Sequence, residues 1–181
     1  MAETLHGELN PTDATPLALR EVLVLDGLGY DIQGYSDKVI LEKLRALDQL
    51  DGANPEHTVT GYTIGSKVAL KIGFSEVAYN LVAKTRNVKG SVSPHFRYNA
   101  AVTALGIVDR NRKITSLDEA KKWYHQAKYY LDEMIDSGQF AQGVIQACLR
   151  DLEYAQAMLE KPEPKRRIFR GLGHISTHNA A

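Results

Sequence analysis

The chain has 181 residues, 44% of them hydrophobic, with 22 Lys plus Arg set against 22 Asp plus Glu. That length suits one domain with a sizeable core, and the neutral balance excludes a global field that would draw in nucleic acid or an anionic membrane. Its one cysteine, Cys148, excludes an intramolecular disulfide framework, and no apolar run approaches the roughly 20 residues that span a bilayer.

The opening Met-Ala-Glu-Thr-Leu-His lacks the charged-then-apolar order of a signal peptide, so a cytosolic origin is the expectation. Residues 1–14 are polar and read as an N-terminal arm. Thr15 and Pro16 then read as an N-cap followed by proline at the first helical position. Leu17, Leu19, Val22, Leu23 and Leu25 follow, and Gly27 and Gly29 close the segment. A strand over residues 21–26 competes, but the start and stop signals fit a helix better. Residues 27–35 form a glycine-punctuated loop. Ser36 or Asp37 caps a helix through Leu50, with Val39, Ile40, Leu44, Leu47 and Leu50 as its apolar face. Residues 51–55 are a turn.

Residues 57–72 are ambiguous. Val59, Gly61, Tyr62 and Ile64 alternate imperfectly and fit a short strand, which would pair around Gly65 and Ser66 in a β-hairpin. Alternatively Ser66 caps a helix with Val68, Leu70 and Ile72. From Ser75 the pattern is helical, ending between Asn87 and Gly90. Ser93 and Pro94 open another helix, whose face is Tyr98, Ala101, Val102, Leu105 and Ile107 or Val108. Residues 109–113 are a polar connection.

Residues 116–161 read as a long antiparallel pair of helices. Ser116 is an N-cap and Glu119 completes a capping box. Leu117, Ala120, Tyr124, Ala127, Leu131 and Met134 alternate by three and four, widened by Trp123, Tyr130 and Ile135. Ser137 and Gly138 stop this helix. The second carries Ile145, Cys148, Leu152, Ala155 and Leu159, and Pro162 and Pro164 end it. The short link requires the two helices to run antiparallel and share their apolar faces.

After Lys161 the composition shifts. Lys165, Arg166, Arg167 and Arg170 surround Ile168 and Phe169. Residues 162–181 therefore read as an extended basic tail. Its apolar pair favours a protein groove as partner, because apolar anchors add little to a segment that only tracks phosphate.

Other constellations lead to structural readings. Residues 61–67 have three residues between glycines and Ser before Lys, where a Walker loop needs four and Lys before the hydroxyl; a turn before a helix fits better. The glycines at 27, 29 and 34 miss the dinucleotide spacing, whose third glycine would fall at Ile32. Cys148 lies in an apolar stripe and reads as a structural thiol. His174 and His178 lack a third ligand and a helix to hold them. His125 reads as helix surface. Trp123, Tyr124, Tyr129 and Tyr130 read as core or subunit interface ahead of a ligand platform. No cofactor and no metal is expected.

The run 44–50 (Leu-Arg-Ala-Leu-Asp-Gln-Leu), then 58–62 (Thr-Val-Thr-Gly-Tyr), then 74–83 (Phe-Ser-Glu-Val-Ala-Tyr-Asn-Leu-Val-Ala), then Ser93-Pro94 before an Ala-rich helix, resembles the head-to-tail adaptor (connector) proteins of short-tailed bacteriophages. The resemblance covers residues 17–108, and the long hairpin departs from the family's pattern. It implies a non-enzymatic virion protein, assembled in the host cytoplasm as a homo-oligomeric ring beneath the portal. Portal and tail proteins would be its partners, with packaged DNA within reach and no membrane. The tail, through Lys165, Arg166, Arg167, Ile168, Phe169 and Arg170, would embrace the portal or a neighbouring subunit.

The expected fold is all-α or mainly α: a helical domain over residues 15–161 containing the long hairpin, extended arms at both ends, and a short β-hairpin as an option at 57–72. Two other functions fit the residues without the resemblance. One is a tetratricopeptide-like interaction module; the other is a nucleic-acid binder using the basic tail.

Overall fold

A computed structural model describes residues 15–50, 54–110 and 115–160. Seven α-helices and three short 3-10 segments form among the described residues, with no strand among them. The helices are α1 (Leu17–Gly27), α2 (Asp37–Arg45), α3 (Pro55–Lys71), α4 (Ser75–Lys84), α5 (Pro94–Arg110), α6 (Leu117–Ser137) and α7 (Gln142–Glu160). One hydrophobic cluster runs through all of them, from Ala18 to Met158.

The ambiguous stretch turns out to be the centre of the fold. Residues 57–71 lie in α3 and Ile72 is its C-cap, so neither the β-hairpin nor a helix beginning at Ser66 forms. Pro55, expected in a turn, is its first residue, and Asn54 Oδ1 accepts from the Glu56 N–H at 2.9 Å as cap. Every residue from Thr58 to Ser66 is buried. A helix covered on all sides ordinarily needs apolar residues all round. Here three hydroxyls are hidden by bonding carbonyls close by in the chain: Thr58 Oγ1 to Leu50 O at 3.0 Å, Thr63 Oγ1 to Val59 O and Ser66 Oγ to Thr63 O at 2.7 Å; the fourth, Thr60 Oγ1, is buried with no hydrogen-bond partner among the described residues. The β-branched threonines that suggest a strand are thus accommodated by burial rather than by propensity.

Gly61 and Gly65, one turn apart, let leucines lie directly on the α3 backbone. A Cβ on Gly61 would stand 2.6 Å from Leu50 Cδ1, and one on Gly65 would stand 2.5 Å from Leu47 Cδ1. Both leucines belong to the 3-10 segment Ala46–Leu50 that continues α2. The expected face of α2 is buried at Ile40, Leu44, Leu47 and Leu50, but Val39 is exposed. The expected loop at 27–35 is largely the 3-10 segment Gly29–Gly34, which buries Ile32. Helix α1 forms as expected, with Pro16 rather than Thr15 at its cap.

The second half is a three-helix unit. Tyr124 Oη on α6 donates to Gln156 Oε1 on α7 at 3.2 Å. That pairs the start of one helix with the end of the other, the expected antiparallel hairpin. Tyr98 Oη donates to Cys148 O at 2.8 Å and Tyr154 Oη to Asp109 Oδ2 at 2.9 Å, so α5 runs parallel to α7. Helix α6 packs more broadly on α5 than on its hairpin partner. Its buried line is Ala120, Trp123, Ala127, Leu131 and Met134. Trp123 therefore sits at the centre of the stripe, while Leu117 and Ile135 are exposed. Gly138, at φ 63°, ends α6 in the left-handed conformation that glycine adopts without a Cβ penalty.

Candidate functional site

The tail residues Lys165, Arg166, Arg167, Ile168, Phe169 and Arg170 lie outside the described residues, as do the N-terminal arm and the pair His174 and His178. What the structure does describe is the platform from which the tail leaves, and the cluster that holds that platform to the rest of the molecule.

The cluster forms where α4 runs into the 3-10 segment Thr85–Asn87. The Arg86 guanidinium lies over the Trp123 ring, 3.4 Å from its centroid. Its Nη1 pairs with Glu119 Oε1, and its Nε donates to Gln126 Oε1 at 3.1 Å. Trp123 Nε1 donates to Tyr79 Oη at 3.2 Å, and that hydroxyl lies 3.4 Å from Glu119 Oε1. A planar cation stacked on an indole and pinned at its edges positions α6 against α4 in one orientation. The remaining Arg86 nitrogen, Nη2, is buried without a hydrogen-bond partner among the described residues.

Glu119 was expected to complete a capping box. Ser116 Oγ does accept from the Glu119 N–H, at 3.2 Å. The carboxylate is taken instead by Arg86, with Lys122 Nζ 3.3 Å away. The ion pair gains more than a reach back to one backbone N–H. The hydrogen bond from Arg86, assisted by its charge and by Lys122, holds the Glu119 carboxyl below the usual carboxylate range, against the opposing pull of desolvation. A depressed carboxyl stabilises the fold above its unfolded pKa and loses that contribution as pH falls through its folded value. Glu119→Gln is therefore expected to cost about 1 kcal/mol at neutral pH and to match the parent chain under strongly acidic conditions. Denaturant midpoints at the two pH values measure this; an equal difference at both would rule it out.

The aromatic platform divides. Trp123 is 2% exposed and belongs to the core. Tyr129 is exposed and edge-on to Tyr130, and Tyr124 is half-buried beside His125. The four rings do not converge on one surface.

Cys148 is buried as expected, under the Tyr98 hydroxyl. Burial pushes its thiol up from the ordinary value, and the bond from Tyr98 only partly offsets this. A thiol reagent is expected to modify it about a hundredfold or more slowly in the native chain than in denaturant, because reaction requires opening of the bundle. Comparable rates would contradict that burial.

The Walker-like and dinucleotide-like stretches are structural. Gly61, Gly65 and Lys67 lie within α3, and Gly29 and Gly34 bound a 3-10 segment. Lys67 is half-buried near the Asp26–Lys71 ion pair (2.6 Å). Desolvation lowers its pKa, with Asp26 acting against the shift and Lys71 adding to it. Among the described residues no three His, Cys, Asp or Glu side chains gather as a metal set, and no helix is long and apolar enough to cross a membrane.

Sequence reasoning missed Arg86 and Tyr79. Neither stands in a motif; they become partners only because α4 and α6 meet, and no local signal reports such a meeting. Comparison of the chain with protein-family models, with curated proteins and with solved structures found no match.

Proposed function

We propose that this chain is a non-enzymatic structural protein of a virion: a head-to-tail adaptor whose copies form a ring between portal and tail. The observation that carries the reading is the succession of helices over residues 17–108. A short first helix, a second that closes on Leu47 and Leu50, α3, α4 and an Ala-rich helix opened by Ser93 and Pro94 follow one another in the order of the resemblance. The stretch 58–62 lies inside a buried helix, which agrees with an all-helical adaptor better than the strand alternative did.

Residues 162–181 are the docking arm in this reading. They follow directly on α7, at the end of the hairpin where α6 begins. Lys165, Arg166, Arg167 and Arg170 supply charge and Ile168 and Phe169 supply apolar anchors, a combination suited to a groove on the portal or on a neighbouring subunit. Deleting residues 162–181 is expected to abolish docking while leaving the helical circular-dichroism signal intact. Docking that survives the deletion unchanged would sink the arm's role.

A second reading is favoured by the exposed flank of the hairpin, where Ile135 and Leu149 lie open. An interaction module of tetratricopeptide type would use such a flank for a peptide. Trp123 is too deeply buried to report on it, so the test is Ile135→Asp: lost binding of a candidate peptide, with portal docking retained, would favour the module.

A further inference from the structure

The link between α6 and α7, residues 138–141, holds one large side chain, Phe140, and no charged one. Phe140 packs on the hydrophobic cluster. Its ring centroid lies 5.9 Å from that of His95, the second residue of α5. Phe96 stands 5.6 Å from the same imidazole. Among the described residues the hydrogen bonds of the link all run within the hairpin: Gly138 N–H to Ile135 O, Gln139 N–H to Ser137 Oγ, and Ala141 O from the Val144 and Ile145 N–H groups. The contact between Phe140 and His95 is therefore what ties the link to α5.

Three features of this contact suit a neutral imidazole and oppose a charged one. Two phenyl rings dehydrate it, and a half-buried cation without a carboxylate beside it loses hydration that nothing replaces. The Asn99 amide nitrogen stands 3.2 Å from Nε2; an amide N–H only donates, so this Nε2 accepts and carries no proton. Finally, His95 lies in the first turn of α5, and the link that covers it leads into the first turn of α7. The positive ends of two parallel helices thus meet at this ring.

The charged groups on the surrounding elements do not rescue the cation. On α5, Arg97 is held by the Thr85 and Val88 carbonyls. On α3, Glu56 accepts the Ser93 N–H at 3.0 Å, with His57 beside it in the chain. The last turns of α6 carry Asp132, Glu133 and Asp136, and Tyr129 donates to Glu133 at 2.7 Å. The first turn of α7 has no acidic residue. Among the described residues none of these charges shifts His95, whose pKa is lowered by burial alone.

We infer that His95 and Phe140 form an acid-sensitive latch: the neutral imidazole holds the α6–α7 link against the start of α5, and its protonation releases Phe140 and the link while the helices stay folded. In the open form the ring is hydrated and titrates at its ordinary value of about 6.5. Above that value the latch is tightest. As the pH falls below it the open form binds a proton that the closed form does not, so the opening constant rises by up to about tenfold per pH unit. The rise ends at the lower value of the closed form. Opening adds Phe140 to the apolar surface that Ile135 already exposes at this end of the hairpin. The inference goes beyond both functional readings and depends on neither.

The test is NMR of the full, isotope-labelled chain from about pH 8 to about pH 4, a range that spans imidazole titration. His95 is expected to titrate below the ordinary imidazole value, and its ring-to-ring contacts with Phe140 to fade with the same midpoint while the helical circular-dichroism signal holds. Phe140→Ala is expected to raise the His95 midpoint towards the ordinary value, because the cover that dehydrates the ring is gone. His95→Gln is expected to leave the amide signals of residues 138–141 independent of pH. Ring contacts that outlast the titration, a midpoint at or above the ordinary value, or a midpoint that Phe140→Ala does not move would each overturn the latch. Helical signal lost in step with the titration would overturn it too, by assigning the proton to unfolding of the whole chain. Should His95→Gln not fold, the shift in Phe140→Ala decides alone.

Discussion

Gly65→Val is expected to destabilise the chain by about 3 kcal/mol or more, and Gly61→Val by a similar amount. The reason lies in how α3 is enclosed. Leu47 and Leu50 occupy the space that a side chain at these positions would fill, within 2.5 and 2.6 Å of the nearest possible Cβ. A β-branched residue would push both leucines off their rotamers and lift the Ala46–Leu50 segment from the helix it covers. Alanine is the control. A single Cβ meets only methyl ends that can turn away, and it gains roughly 1 kcal/mol of helix propensity over glycine. Gly65→Ala is therefore expected to lie within about 1 kcal/mol of the parent, because overpacking and propensity nearly cancel. Urea unfolding followed by circular dichroism separates the two; a valine variant as stable as the alanine one would mean that α3 is not closely covered there.

Trp123→Ala is expected to have the largest effect of any single truncation, about 4 kcal/mol from cavity formation alone. It also strips Arg86 of its stacking surface, worth about 1 kcal/mol, and leaves Tyr79 Oη without its indole donor. Because Arg86 retains Glu119 and Gln126, Trp123→Phe should recover most of the loss by keeping a ring under the guanidinium. The same denaturant series reads both variants. Equal stability of the Ala and Phe chains would show that the ring contributes volume nowhere and that the cluster does not hold α6 to α4.

What could be read from the residues depended on whether the signal was local. The hairpin was legible because its instructions are: Ser116 caps, Gly138 stops, and apolar residues recur every three or four positions. The same holds for α1 and α5, where start signals and periodicity agree. Helix α3 was not legible. Its threonines, valine and glycines carry weak helical preference and no stripe, because a helix covered on every side has no polar face to create one. Only the leucines of the preceding segment, packed on Gly61 and Gly65, explain why that composition is helical. The apolar faces were legible in outline but not in detail. Val39, Leu117 and Ile135 fit their stripes and lie exposed, while Trp123, expected at an edge, is central. Periodicity gives a direction on a helix; which neighbour occupies that direction is decided by the whole bundle. The basic arm was the clearest functional signal in the residues, and it lies beyond the described part of the chain.

The adaptor reading is tested most directly by mass measurement of the 20.1 kDa chain, alone and mixed with a candidate portal protein. The expected result is a portal complex whose mass rises by a fixed whole number of adaptor copies, with the rise abolished by deletion of residues 162–181. A portal mass that stays unchanged at saturating adaptor concentration would contradict it.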